Sequence, residues 1–462
     1  MPRAVGVSGG GGSRRARLKH PAEHCEATGI ASQGNSSADP EAFLLEPQST
    51  ALFVLLIVVF GALTWWMVAT RQPVFRLLAA CLAFIPAMLF GVVAVNKYYG
   101  YYQTWGAALA DLTNQGANTG NTAPPPALTS VGSNISTLTG SNTGLKLAQQ
   151  QGYTLRLMIT GPLSHITRVV YVYLPPEYFQ PSYKDYRFPV LELIHGQPGE
   201  PQDWINVVGV TDTLDRLVTE GQARPVVLVM PDANGAERVS LQCLNQFRGP
   251  QDLTYLAEDL PLAITHRFRV TPPGPAWAVA GYSEGGFCAA NMALRFPTRY
   301  GFSGVMSGYF RPSRNQLEFP LRDVSPFGSN RKLAGENTPL DEIRKLPPGS
   351  AIPQFWIGVG SANKLDVANA ELFWQELSLR QASVPLILTK GGGHDMTTWR
   401  AEVPAMLAWM TPRLAQAAAM EAAAHSPHAR PSGSPAPHRK RHHRPRKGPA
   451  LAAQRTGTGH TS

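Results

Sequence analysis

Residues 277–286 read WAVAGYSEGG, and residues 287–297 continue as FCAANMALRFP. A short apolar run leads into the turn Gly281-Tyr282-Ser283-Glu284-Gly285, and a stretch with helical spacing follows at once. A serine hydroxyl is a weak nucleophile unless it is exposed, oriented and next to a base. A sharp strand-to-helix turn exposes it, and glycines on either side let the backbone turn without a Cβ clash. The helix that follows aims its first amides at any developing oxyanion. The bare G-x-S-x-G string also describes an ordinary glycine turn; the strand before it and the helix after it distinguish the two.

Outward from this turn, the segment 151–412 repeats the same alternation. Apolar, β-branched runs fall at 154–159, 168–174, 189–194, 226–230, 277–281, 302–306, 354–359 and 385–389. Helical patterns fall at 211–220, 253–268, 284–296, 366–381 and 398–410. Strands that are apolar almost without a break, separated by amphipathic helices, predict an α/β domain with a mostly parallel sheet covered on both faces. In such sheets the functional groups gather at the carboxyl ends of the strands.

Three strand ends carry candidate residues. VLELI at 190–194 runs into His195-Gly196-Gln197-Pro198-Gly199, a loop placed to donate a backbone N–H to an oxyanion. The expected donors are the amides of Gln197 and of Glu284, the residue after the serine; a plain strand-ending turn is the alternative for this loop. PLILTK at 385–390 runs into Gly391-Gly392-Gly393-His394-Asp395. Those glycines can bring an imidazole back over Ser283, in the order serine, acid, histidine. The acid belongs after QFWIGV, on the loop GSANKLD at 360–366. Asp366 is the nearest carboxylate, with a helix N-cap as its competing role. Asp395 adjoins His394, and neighbouring side chains seldom face one another, so the expected set is Ser283, His394 and Asp366. The domain has no Cys/His metal spacing, so neither a metal nor another cofactor is expected.

Before this domain lie two uncharged apolar runs, ALFVLLIVVFGALTWWMVA at 51–69 and LLAACLAFIPAMLFGVVAV at 77–95. Each is near the ~20 residues that a bilayer-spanning helix needs. A buried helical hairpin is the alternative, but Trp65, Trp66, Tyr98 and Tyr99 near the ends favour a membrane interface. A cleaved signal peptide fits poorly with a first run that starts this far into the chain. The connection carries Arg71 and Arg76, against Lys97 after the second run, which places the connection in the cytoplasm and the α/β domain outside.

The expected organisation is therefore an unstructured segment 1–48, a two-helix membrane anchor 49–97, a juxtamembrane segment and linker 98–150, the α/β domain 151–412 and a disordered tail 413–462. Residues 113–144 are dominated by Asn, Thr, Ser, Gly and Pro, the composition of a linker. The tail from 427 onward has eight Lys and Arg residues and no acid, and supplies most of the formal net charge of +10. On an outward-facing tail that charge fits an anionic envelope polymer or lipid headgroups; a solvated tail with no partner is the alternative, and nucleic acid is not an expected partner. Outside the cell Cys243 and Cys288 are free to form a disulfide, with two separate buried thiols as the other reading.

The strand into His195-Gly196, the Met230-Pro231-Asp232 segment, GYSEGGFCA with ALRFP, and GGGHDMTTW together resemble the esterase family that includes esterase D, enterochelin esterases and antigen-85 mycolyltransferases. The resemblance covers about residues 174–410, and an outward-facing domain on an anchor resembles the actinobacterial members. It implies an α/β-hydrolase fold with a mostly parallel sheet, here preceded by two transmembrane helices. It also implies a serine esterase or acyltransferase whose substrate is an acyl ester or glycolipid of the envelope. By motif Ser283 takes the nucleophile's place and His394 the base's, while the family's acid position falls on Asn363 or Lys364. That departure favours a second class, a hydrolase fold kept as an anchored binding module. The segment 310–353, rich in Arg and Pro, is expected to cover the pocket.

Overall fold

The computed structural model describes residues 45–112, 142–235, 240–313, 315–317, 322–380 and 384–424. Most of the expected N-terminal segment, most of the linker and the basic tail from residue 425 lie outside the described residues. The chain divides into two compact units, Met1–Met420 and Glu421–Ser462; the sheet, the apolar helices and the candidate site belong to the first.

Two helices, α1 (Thr50–Ala69) and α2 (Pro73–Tyr99), are long and apolar enough to cross a membrane. At ~1.5 Å per residue they span about 30 and 40 Å. Ser49 caps α1, its Oγ accepting from the amides of Ala51 at 3.1 Å and Leu52 at 3.4 Å. Pro73 stands in the first turn of α2, where its missing N–H costs nothing, and Gly100 ends that helix in the left-handed region. The two pack through Leu52, Leu56 and Val93, with Phe53 against Phe90. Val58, Val68, Leu77 and Val92 are each more than half exposed, so the apolar flanks face outward.

Among the described residues ten strands follow: β1 (Tyr153–Thr160), β2 (Thr167–Leu174), β3 (Val190–Ile194), β4 (Val227–Pro231), β5 (Gly274–Tyr282), β6 (Tyr300–Met306), the small hairpin β7 (Asn315–Leu317) and β8 (Arg322–Val324), β9 (Gln354–Gly360) and β10 (Leu386–Thr389). Eight of them form one sheet in the order β1-β2-β4-β3-β5-β6-β9-β10. β2 pairs antiparallel with β1 and with β4, and every other pairing in that sheet is parallel. This order, crossing over between β3 and β4, is that of the α/β-hydrolase fold.

The period of two along each strand decides which layer a side chain enters. Leu191, Leu193, Leu228, Met230, Ala278 and Ala280 are buried with Leu214 and Leu217 of α3 (Val210–Thr219) and with Met406, Leu407 and Met410 from the helix Met396–Ala424. The alternate residues Val227, Val229, Val279 and Ile357 face the opposite layer, built from α4 (Leu260–Arg267), α5 (Glu284–Arg295) and α6 (Lys364–Ser378). The helix Met396–Ala424 is α7.

Two helices differ from the sequence reading. The stretch 253–268 is interrupted by a π-helical turn at Tyr255–Asp259 before α4. Pro261 lacks the N–H that would continue the α ladder there, and the Asp259 carboxylate is used to accept from the amides of Leu163 and Ser164. α7 runs past residue 412 to Ala424, because the alanine-rich AQAAAMEAAA continues a helix readily.

Among the buried carboxyl groups, Glu192 and Glu402 carry the largest upward shifts, each to about 8. Glu192 accepts from the Tyr300 hydroxyl at 2.9 Å and Glu402 from Thr389 Oγ1 at 2.8 Å. Burial pushes both from an ordinary 4.5 up to about 8. A raised carboxyl pKa means that the folded state holds a proton which the unfolded chain has lost. Stability should therefore fall as pH rises from about 4.5 to about 8, by up to ~1.4 kcal/mol per pH unit for each group. Denaturation midpoints across that window should flatten in the Glu192→Gln/Glu402→Gln double variant; an unchanged slope would assign the pH dependence elsewhere.

Candidate active site

Ser283 sits between β5 and α5 with φ 55° and ψ −119°, a region that a non-glycine residue occupies only under constraint. The constraint is visible. The Ser283 amide donates to the Met306 carbonyl at 2.9 Å, and α5 is pressed against the end of β3. A Cβ added at Gly285 would collide with the Ile194 carbonyl oxygen, and one added at Gly281 with the backbone of Gly285. Both neighbours are main chain and cannot rotate away, so the turn requires these two glycines.

His394 arrives from the loop after β10. Its Nε2 lies 2.8 Å from Ser283 Oγ and its Nδ1 2.6 Å from Asp366 Oδ2. With Nδ1–H donating to the carboxylate, Nε2 is left to accept the serine proton. The competition over Asp366 resolves locally. Asn363 is the N-cap of α6, its Oδ1 accepting from Leu365 N at 3.1 Å and Asp366 N at 3.2 Å. With Asn363 capping the helix, the carboxylate of Asp366, in the first turn, is turned to the imidazole. Asp395 instead accepts from the amide and hydroxyl of Thr398, capping the start of α7. The His394 ring meets Trp399 edge-on at 5.1 Å, and Trp399 stacks on Tyr282 at 4.6 Å, fixing the imidazole from the side.

Gly196 approaches the elbow closely; a Cβ there would lie 3.2 Å from that of Ser283. Gln197 follows, its Oε1 accepting from Asn234 Nδ2 at 2.8 Å. The amide of Glu284 opens α5, where helical acceptors are missing. The Glu284 side chain turns inward to accept from Ser240 Oγ and from the Gln242 amide, and its burial raises its pKa. Cys243 and Cys288 are joined in a disulfide, which ties this loop to α5.

The structure gives His195 a role that the sequence did not reveal. Its ring is fully buried, with Nδ1 donating to the Gly196 carbonyl at 2.8 Å and Nε2 accepting from the Ala233 amide at 3.0 Å. Asp232 Oδ1 receives the amides of Asn234 and Gly235, and Arg168 donates to the Ala233 carbonyl while pairing with the buried Asp252. The Met230-Pro231-Asp232 segment thus braces the loop that carries Gln197.

Ser283 and His394 open onto a pocket of about 290 Å³ counted out to its solvent mouth. Its walls are Tyr282, Met396, Trp399 and the loop 196–198, together with Tyr99 and Tyr101 from the end of α2. Among the described residues of 310–353 none lines it, and Tyr99 and Tyr101 stand at its wall. The signal for these tyrosines was the aromatic run KYYGYYQTW at 97–105. Among the described residues no three His, Cys, Asp or Glu side chains are grouped to hold a metal ion.

An eight-stranded sheet with a strained serine at the β5–α5 elbow and a histidine above it is the architecture of a serine hydrolase. Residues 166–410, a little over half of the chain, match the family described as putative esterase, and the chain belongs to that family. An uncharacterised protein of Corynebacterium glutamicum is 25% identical over 250 residues, 53% of this chain and 57% of that protein. Esterase Rv1288 of Mycobacterium tuberculosis is 33% identical over 146 residues, 30% of this chain and 29% of that protein. The chain therefore matches little more than half the length of the first relative and under a third of the second. Among solved structures, a ferulic acid esterase aligns with 20% identity and a TM-score of 0.49, over 57% of this chain and 99% of that one.

Proposed function

We propose that this protein is a serine esterase or acyltransferase of the cell envelope, held in the membrane by α1 and α2 with its hydrolase domain outside. The observation that carries the reading is the continuous hydrogen-bonded line Ser283–His394–Asp366 on a constrained elbow. Ser283 Oγ attacks the ester carbonyl as His394 Nε2 takes its proton, and Asp366 holds the imidazolium through Nδ1–H. The amides of Gln197 and Glu284 receive the oxyanion. His394 then protonates the departing alcohol, leaving an acyl-enzyme. A water or a sugar hydroxyl, deprotonated by the same imidazole, takes the acyl group and frees Ser283. The substrates are ester-linked lipids or glycolipids.

The outward apolar flanks of α1 and α2 support the anchor, and Arg71 and Arg76 in their connection support a cytoplasmic turn. The basic tail is proposed to hold the protein to anionic envelope polymer. A binding module without activity is the second reading, raised by the missing family acid; Asp366 at 2.6 Å from His394 favours the enzyme. The test is a fluorophosphonate probe on the full chain in detergent. Wild type should label and turn over p-nitrophenyl esters, and Ser283→Ala should do neither. A wild-type protein that neither labels nor turns over would return the binding module.

A further inference from the structure

The end of the second apolar helix is built into the pocket. Asn96, buried in the last turns of α2, donates from Nδ2 to the Tyr102 carbonyl at 2.9 Å and accepts the Tyr102 amide at 2.8 Å. Its own carbonyl takes the Gln48 side chain and the Gly100 amide. Trp105 donates from its amide to Glu46 and from its indole to the Leu45 carbonyl. This reciprocal bonding fixes residues 96–105 as a shaped turn. Gly100 then seats the turn on α7: a Cβ there would lie 2.7 Å from Thr397 Oγ1, three residues beyond His394. Gln103 reaches the same hydroxyl at 3.4 Å.

From this seat Tyr101 donates its hydroxyl to the Pro198 carbonyl at 2.8 Å, on the loop that carries Gln197. Burial, and then the nearby Asp203, push its pKa up, so the hydroxyl keeps its proton and remains a donor. Tyr99 and Tyr101 line the pocket with Ser283 and His394. Val95 lies one helical turn before Tyr99, about 6 Å along the axis, and like Val92 it is more than half exposed. The pocket is open to solvent, so all but the reacting end of a long acyl chain must lie outside it. Val92, Val95 and Tyr99 share one face of α2 by their spacing, and that face offers the remainder of a long chain an apolar surface.

We propose that Tyr99 and Tyr101 are substrate-contacting residues, so that the anchor completes the ester site and selects acyl esters whose chain lies in the bilayer along α2. The inference rests on the esterase reading above. In it the tyrosines hold the first methylenes of the acyl chain, and Tyr101 also keeps the 196–198 loop in register with the elbow.

The experiment uses the full chain in phospholipid nanodiscs, with p-nitrophenyl acetate as the soluble ester and p-nitrophenyl palmitate dissolved in the same bilayer. Tyr99→Ala should lower kcat/KM for the palmitate by about tenfold, the loss of ~1.4 kcal/mol of contact, and the acetate value far less; Tyr101→Ala, which also frees the 196–198 loop, should lower both, the palmitate by about tenfold more than the acetate. Tyr98→Ala, whose ring is largely exposed and outside the pocket lining, should leave both esters near wild type. Equal losses on the two esters, or no loss on the palmitate, would overturn the inference. Fluorophosphonate labelling of each variant reports whether its site is still formed. Where an alanine variant does not label, Tyr99→Asn and Tyr101→Asn replace it, and these polar side chains of intermediate size should again lower the palmitate value more than the acetate value. Failure of wild type to label and to turn over either ester removes the esterase reading and this inference with it. Labelling and turnover with no difference between the esters in the variants removes this inference alone.

Discussion

Asp366→Asn should lower kcat for ester hydrolysis by about 10³–10⁴-fold with little change in KM. The carboxylate meets His394 Nδ1 at 2.6 Å and fixes the tautomer that leaves Nε2 free to accept from Ser283. An amide in its place can offer an N–H to Nδ1, and the ring then carries its proton on the wrong nitrogen. Asp395→Asn is the matched control. Asp395 caps α7 through Thr398, and asparagine caps as well as aspartate, so turnover should stay near wild type. Asn363→Ala removes the cap of α6 at a cost of about 1 kcal/mol and should reduce activity only by loosening Asp366. Steady-state kinetics on the three variants decide the matter. An Asp366→Asn enzyme within about tenfold of wild type would mean that the carboxylate contributes little beyond position.

The second large effect is on stability. Cys243 and Cys288 close a loop of sequence separation 45, and the chain-entropy argument gives about 4 kcal/mol for such a cross-link. Against the 5–15 kcal/mol of a typical domain that is a large share. The Cys243→Ser/Cys288→Ser double variant, or wild type kept reduced, should unfold at distinctly lower denaturant than the oxidised protein. The effect should reach the site as well. The bridge holds Gln242 beside Glu284, whose carboxyl accepts the Gln242 amide next to the proposed oxyanion donor. Fluorophosphonate labelling should therefore slow when the bridge is opened. An equal midpoint in both redox states would show that the loop is held by its hydrogen bonds alone.

The strands were legible because apolar, β-branched runs of five to seven residues, most of them followed by a helical stretch, have few other uses. The elbow was legible for a similar reason, since glycine, serine and glycine at that spacing after a strand answer one steric problem. The acid was harder. Asp366 and Asn363 both suit a helix start, and which of them caps depends on where the first turn begins, a matter of one residue that composition does not record. His195 stood on an identifiable loop, but its inward rotation depends on Ala233, far along the chain and brought near only by the pairing of β3 with β4. Tyr99 and Tyr101 were visible as aromatic residues and mute about their neighbours, because nothing local says that a helix end will dock beside a histidine loop nearly three hundred residues later. Local rules gave the framework, and the contacts that join distant segments had to be seen.

The seating of Gly100 on Thr397 has a practical side. A fragment beginning near residue 144 would keep Ser283, His394 and Asp366 while losing Tyr99 and Tyr101. In such a fragment the cleft beside Trp399 and Tyr282 would be flooded. Under the proposed chemistry the acyl-enzyme would then partition toward hydrolysis and away from sugar acceptors, since water is the competitor that a closed site keeps out. That fragment would report a hydrolase, and the transfer ratio of the intact protein would be visible only with α1 and α2 attached.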